Sequence, residues 1–111
     1  DLIDSNELDE MLSKFYQHKT DPNIYNNQRY CTSVNKSKIK SGDVYQICEI
    51  IRDLTRKGKK TKLGNEDRAI LEKAREVFIS EIAQVKGIDL DQANDLLDQV
   101  INSADMIEAA S

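Results

Sequence analysis

The stretch DVYQICEIIRDLTRK, residues 43–57, decides the fold. Val44, Ile47, Cys48, Ile51 and Leu54 recur at steps of three and four, the single apolar stripe of an amphipathic helix, and no period-two alternation competes with it. The flanks agree. Gly42 can take the left-handed conformation that closes a preceding helix, and Ser41 or Asp43 can cap the next one. Arg52, Arg56 and Lys57 gather toward the far end, where cations complement the helix dipole.

Working outward, four further segments read as helical and none as strand. DSNELDEMLSKFYQH, residues 4–18, sets Leu8, Met11, Leu12 and Phe15 on one face of a helix over about residues 5–18, with Asp4 or Ser5 as N-cap and Asp4-x-x-Glu7 as a capping box. KTDPNIYNN then stops it, because Pro22 pushes Asp21 out of the α region, so a linker or hinge is expected. NQRYCTSVNKSKIK has a weaker stripe through Tyr30, Val34 and Ser37. After KLGN a helix opens with Asn65 as N-cap and Glu66 and Asp67 in its first turn, striped by Ile70, Ala74, Val77, Phe78 and Ile82, with Leu71 on the border, and stopped by Gly87. The last helix is capped by Asp89 with Gln92 three residues on, and carries Ala93, Leu96, Leu97, Val100 and Ile101. Short turns between long amphipathic helices favour antiparallel neighbours. The fold class expected is all-α, a compact bundle of about five helices, with residues 103–111 as a flexible tail.

At 111 residues, 39% hydrophobic and 32% charged, the chain suits one modest core rather than disorder. No apolar run approaches the roughly 18–20 residues that span a bilayer, and no signal segment opens the sequence. A cytoplasmic protein is expected, and a start at Asp1 without Met reads as an excised or processed chain. Cys31 and Cys48 lack CxxC spacing and read as free buried thiols.

Charge is unevenly spread. The net charge is −4, yet Gln28 to Lys62 holds ten Lys or Arg against three acids. Five of these bases fall within the seven places from Arg56 to Lys62. A basic middle inside an acidic chain steers polyanions through its local field, whatever the sign of the total. The bland alternative is a solvated basic loop between helices.

Catalytic chemistry finds little support. His18 is the single histidine and reads as a solvated helix-end residue. Asp91, Asp95 and Asp98 fall opposite the apolar stripe, as a solvated face does. No phosphate-loop, dinucleotide, zinc-protease or nucleophile-elbow motif is present. The expectation is no enzyme, no catalytic residue, no metal and no cofactor.

IKSGDVYQICEIIRDLTRKGKKTKLGNEDRAILEKAREVFISEI, residues 39–82, closely resembles the C-terminal helical domain of the CarD (CdnL) family of bacterial RNA polymerase-binding regulators. The likeness rests on Lys40-Ser41-Gly42-Asp43, Ile50-Ile51-Arg52-Asp53-Leu54, Lys62-Leu63-Gly64, Leu71-Glu72-Lys73-Ala74-Arg75 and Ile79-Ser80-Glu81-Ile82, in that order. The closing GIDLDQANDLLDQVI looks like the family's last helix. Residues 38–102 are covered well and residues 1–37 loosely. The division implied is a linker and first helix over 1–24, the CarD-like domain over 25–102 and the tail.

The resemblance implies a mechanism. CarD-like proteins grip the polymerase β subunit through an N-terminal Tudor-like domain, which is expected here in a parent chain upstream of Asp1. The helical domain touches promoter DNA at the upstream edge of the transcription bubble, where a Trp wedges into the minor groove and keeps the bubble open. This chain has no Trp. Its YNNQRY matches the family's W-N-x-R-Y/F loosely, which makes Tyr25 the first candidate wedge and Tyr30 the second. The DNA-contacting set expected is Tyr25, Asn26, Arg29, Tyr30, Lys36, Lys38, Lys40, Lys57, Lys59, Lys60 and Lys62, in a monomer with no membrane partner. The runner-up is a helical protein-interaction domain that makes no direct contact with DNA.

Overall fold

The computed structural model describes residues 3–15 and 17–110, with side chains to residue 103. Six helices follow one another: α1 (Ser5–Ser13), α2 (Pro22–Asn26), α3 (Gln28–Ser41), α4 (Val44–Lys60), α5 (Asn65–Lys86) and α6 (Leu90–Ala110). No strand occurs among the described residues. The all-α expectation therefore holds, with one short helix more than the sequence suggested.

Contacts divide the chain into two units. The first comprises Asp1–His18 and Ile79–Ser111, and the second Lys19–Phe78. In the first, the expected stripe of α1 is buried at Leu8, Met11, Leu12 and Phe15, together with Ile82 of α5 and Ala93 and Leu97 of α6. Burial of each such Leu or Ile contributes about 1.5–3 kcal/mol. Asp4 caps α1 by accepting from the Glu7 amide at 2.8 Å. The helix stops at Ser13, short of the expected end near residue 18; Lys14, Phe15 and Gln17 follow in turns and His18 in a bend, so His18 does not sit at a helix end, and Tyr16 lies outside the described residues. Lys86 of α5 donates to Ser5 Oγ at 3.1 Å and to Asp9, which ties the end of α5 to α1. Before α6 the Asp89 and Gln92 side chains each accept from the other's amide, at 2.8 and 3.1 Å, so two orphan donors are satisfied reciprocally. The helix continues to Ala110.

In the second unit α2, α3 and α4 pack on one another. The stretch expected as a linker contains α2, and the reason is that proline suits the first helical position. Its missing N–H would be orphaned there anyway, and it holds Asp21 extended, with φ −56° and ψ 125°, to cap Asn23. α3 buries Cys31 and Asn35 where Val34 and Tyr30 were expected, and those two are only half-buried while Ser37 is exposed. The displacement arises because a buried asparagine is invisible to a hydrophobic count. Gly42 closes α3 at φ 70°, and Asp43 caps α4 by accepting from the Tyr45 amide at 2.9 Å. Ile47, Cys48, Ile50, Ile51 and Leu54 of α4 and Ile70, Ala74 and Phe78 of α5 complete the buried apolar set. Both cysteines are free and buried, as expected. At the start of α5 the capping carbonyl is that of Gly64, which accepts from the Arg68 amide at 3.0 Å, while the expected cap Asn65 instead accepts from the Arg68 guanidinium at 2.7 Å.

Candidate nucleic-acid interface

The whole expected set lies in the Lys19–Phe78 unit. Asp21 ties the start of α2 to α3: its carboxylate accepts from the Asn23 amide and, at 2.9 Å, from the Tyr30 hydroxyl. The amide bond first, then the phenol bond, hold the Asp21 carboxyl below its ordinary range, and the same contact raises the Tyr30 phenol. Asn27 stands between the helices. Its side chain accepts from the Tyr30 amide at 3.1 Å and its own N–H donates to Asn23. Tyr30 is thus held by its phenol as well as its backbone.

Tyr25 lies half-buried in α2, and the Lys60 ammonium of α4 sits over its ring, 4.4 Å from the centroid. Asn26 at the end of α2 and Arg29 in the first turn of α3 are exposed beside this pair in sequence. An aromatic ring, a cation over its face and a guanidinium one helix start away are a combination suited to bases and phosphates.

Lys57 must be corrected. It was expected to reach phosphate, but it is 6% exposed. Its ammonium donates at 2.7 Å to Asp67 Oδ2, at 2.7 Å to Gln28 Oε1 and at 3.5 Å to Cys31 Sγ. The physical reason is register, since Lys57 follows Ile50 and Leu54 along the apolar stripe of α4. Asp67 does the same ahead of Ile70 and Ala74 on α5, and is 1% exposed. Gln28 donates to Asp67 Oδ1 at 3.0 Å, and Asn35 donates to Cys31 Sγ at 3.4 Å. Burial pulls the Lys57 ammonium down, but the Asp67 hydrogen bond and the nearby Cys31 and Asp67 outweigh it and raise the group overall. Burial and the Asp67 charge push the Cys31 thiol up. Burial pushes Cys48 up to about 12. Both thiols are therefore inert in the native state.

A second polar cluster went unforeseen. Thr20 Oγ1 donates to Asp53 Oδ1 at 2.5 Å and accepts from Arg56 Nη1 at 2.9 Å, while Arg52 Nε donates to the same Asp53 oxygen at 2.9 Å. Asp53, itself held by Arg52, thus anchors Thr20, two residues ahead of α2. Asp53 following Ile50 at a step of three was the available signal.

The remaining cations fall into separate places. Lys59 and Lys60 belong to the last turn of α4, so the expected loop is partly helix, and Lys62 is exposed beyond it. Gln28 meets Lys57 while Lys38 approaches Glu49 at 3.8 Å, so α3 runs antiparallel to α4. Lys38 and Lys40 consequently sit at the opposite end of α3 from Tyr25, Arg29 and Lys60, about 16 Å along the axis. Lys36 pairs with Glu66 at 2.9 Å with both side chains exposed. Among the described residues no group of three His, Cys, Asp or Glu is placed to hold a metal ion, and no helix is long and apolar enough to cross a membrane.

Comparison with known proteins adds two findings. The family described as CarD, C-terminal domain matches residues 10–98. A Bacillus subtilis (strain 168) protein described as "Putative transcription factor YdeB" is 39% identical over 61 residues, which is 55% of this chain and 39% of that protein. The chain thus spans about two fifths of that relative's length.

Proposed function

The chain belongs to the CarD C-terminal domain family, and from that premise we propose that it is the DNA-contacting domain of a bacterial transcription regulator. The observation that carries this reading is the Lys60 ammonium over the Tyr25 ring, with Arg29 in the first turn of α3, which the Gln28–Lys57 bond sets against the end of α4 that carries Lys60. Tyr25 enters the opened minor groove at the upstream edge of the promoter bubble, with Tyr30 behind it on Asp21. An aromatic side chain stabilises an unstacked step that closed duplex does not offer, so its binding energy favours the open complex. Lys59, Lys60, Lys62 and Arg29 hold phosphates nearby without reading sequence. RNA polymerase is engaged through a Tudor-like domain of the longer protein acting on the β subunit. The regulator works in the cytoplasm as a monomer, with residues 25–102 as the functional domain.

The test compares Tyr25→Ala with the unaltered chain on forked and fully paired promoter DNA by fluorescence anisotropy. Fork affinity falls several-fold while duplex affinity changes little. Equal losses on both would sink the wedge, and no binding of the unaltered chain to either DNA would sink DNA contact altogether.

A further inference from the structure

Lys60 is the last residue of α4, and its ammonium lies 4.4 Å from the centroid of the Tyr25 ring. Tyr25 is half-buried, so the protein already covers part of the ring, and the cation covers a face of what is left. Lys60 is exposed, and among the described residues no carboxylate pairs with it. Lys36, Lys38 and Lys57, by contrast, each meet an acid. The ring is therefore what holds the Lys60 ammonium. We propose that Lys60 is a latch on Tyr25: an unpaired base displaces the ammonium from the ring, and the ammonium passes to a DNA phosphate in the same exchange. Lys60 is thereby a specificity-determining residue for open over closed DNA. The inference rests on the DNA-contacting reading and adds what selects the DNA at the wedge.

Magnitudes decide the direction of the exchange. A cation over an aromatic ring at an exposed site shifts an equilibrium by about two- to fivefold, whereas a base stacked on an aromatic side chain shifts it by about five- to 150-fold. Stacking wins where a base is free to stack. Where every base is paired and stacked on its neighbours, nothing offsets the loss of the cation, and the ring keeps it. A phosphate flanking the stacked base then lies close to the released ammonium, because ring and ammonium were in contact at the start. Lys60 consequently adds a phosphate contact on forked DNA and none on closed duplex. Lys62, exposed two residues further on, has no ring contact and no such dependence on an open base.

The experiment compares the full chain with Lys60→Gln on forked promoter DNA and on the fully paired duplex, by fluorescence anisotropy over a salt series. On the fork Lys60→Gln lowers the salt slope by about 0.9, and the two curves cross. The variant binds more weakly at low salt, but about two- to fivefold more tightly as salt rises toward about 1 M, where the phosphate contact is screened and the lost latch remains. On the duplex its slope is unchanged. Lys62→Gln gives no crossing on either DNA. In NMR spectra the Lys60 Hε protons of the free chain lie upfield of those of Lys62 through the ring current, lose that shift on the fork and keep it on the duplex. Thermal unfolding verifies that Lys60→Gln, a change at an exposed position, is folded. No upfield shift in the free chain, a shift that persists on the fork, fork curves that never cross, or a crossing for Lys62→Gln as well would each overturn the latch. A selective loss of fork affinity in Tyr25→Ala would still support the wedge in those cases. Fork affinity that Tyr25→Ala leaves intact would overturn the wedge, and the latch with it.

Discussion

Lys57 in the last turn of α4 donates to Asp67 in the first turn of α5 at 2.7 Å, and both side chains are more than nine-tenths buried. Gln28 bonds both members, so the pair fixes the start of α3 against the end of α4. It thereby holds Arg29 and Lys60 at one end of the unit. Lys57→Met should destabilise the chain by about 3–5 kcal/mol in urea unfolding, because Asp67 is left charged and buried. Lys57→Met/Asp67→Leu should recover most of that loss. A single variant as stable as the unaltered chain would contradict the buried pair.

Thr20 ties the chain ahead of α2 to Asp53 and Arg56. Thr20→Val keeps the shape and removes both hydrogen bonds, so unfolding should be easier by about 1–3 kcal/mol. Thr20→Ser, which keeps the hydroxyl, should lose less.

Gly42 closes α3 at φ 70°, and a Cβ there would meet nothing within 4 Å. Gly42→Ala therefore isolates backbone strain, with an expected cost of about 1–2 kcal/mol by chemical unfolding. Any stabilisation would contradict the left-handed cap.

Alkaline pH should weaken the fold. Cys48 is raised from 9.0 to about 12, and Lys57 and Cys31 are raised as well. A folded-state value above the unfolded one means the native chain binds more protons, so stability is full below the unfolded value and falls as pH rises. For Cys48 the window runs from about pH 9 to 12, at a slope of about 1.4 kcal/mol per unit. Urea midpoints measured from pH 8 to 11 should fall above pH 9, and Cys48→Ala should fall less steeply. A midpoint that rises across that window would contradict the assignment.

The long stripes of α1, α4, α5 and α6 were legible because apolar residues at steps of three and four leave one reading. The caps at Asp4, Gly42, Asp43 and Asp89 were legible because few residue types perform those roles. α2 was hidden because its proline reads equally as a stop and as a first helical residue. Lys57, Asp67, Asn35 and Asp53 were hidden for a common reason: each occupies an interior position that hydrophobicity assigns to solvent, and for Lys57, Asp67 and Asp53 the compensating partners include residues distant in sequence. At the candidate interface, adjacency in sequence suggested one basic loop. Tyr25 meets Lys60 across 35 residues, while Lys57, three places from Lys60, faces the interior.

The most direct test of the central claim is the affinity of the chain for forked promoter DNA as a function of salt. With Arg29, Lys36, Lys40, Lys59, Lys60 and Lys62 exposed, log affinity should fall against log salt with a slope of about −3 or steeper. Lys60→Gln should make it shallower by about one, and Lys57→Gln, examined while folded, should leave it unchanged. An affinity indifferent to salt, or a slope that Lys60→Gln leaves intact and Lys57→Gln reduces, would contradict the account.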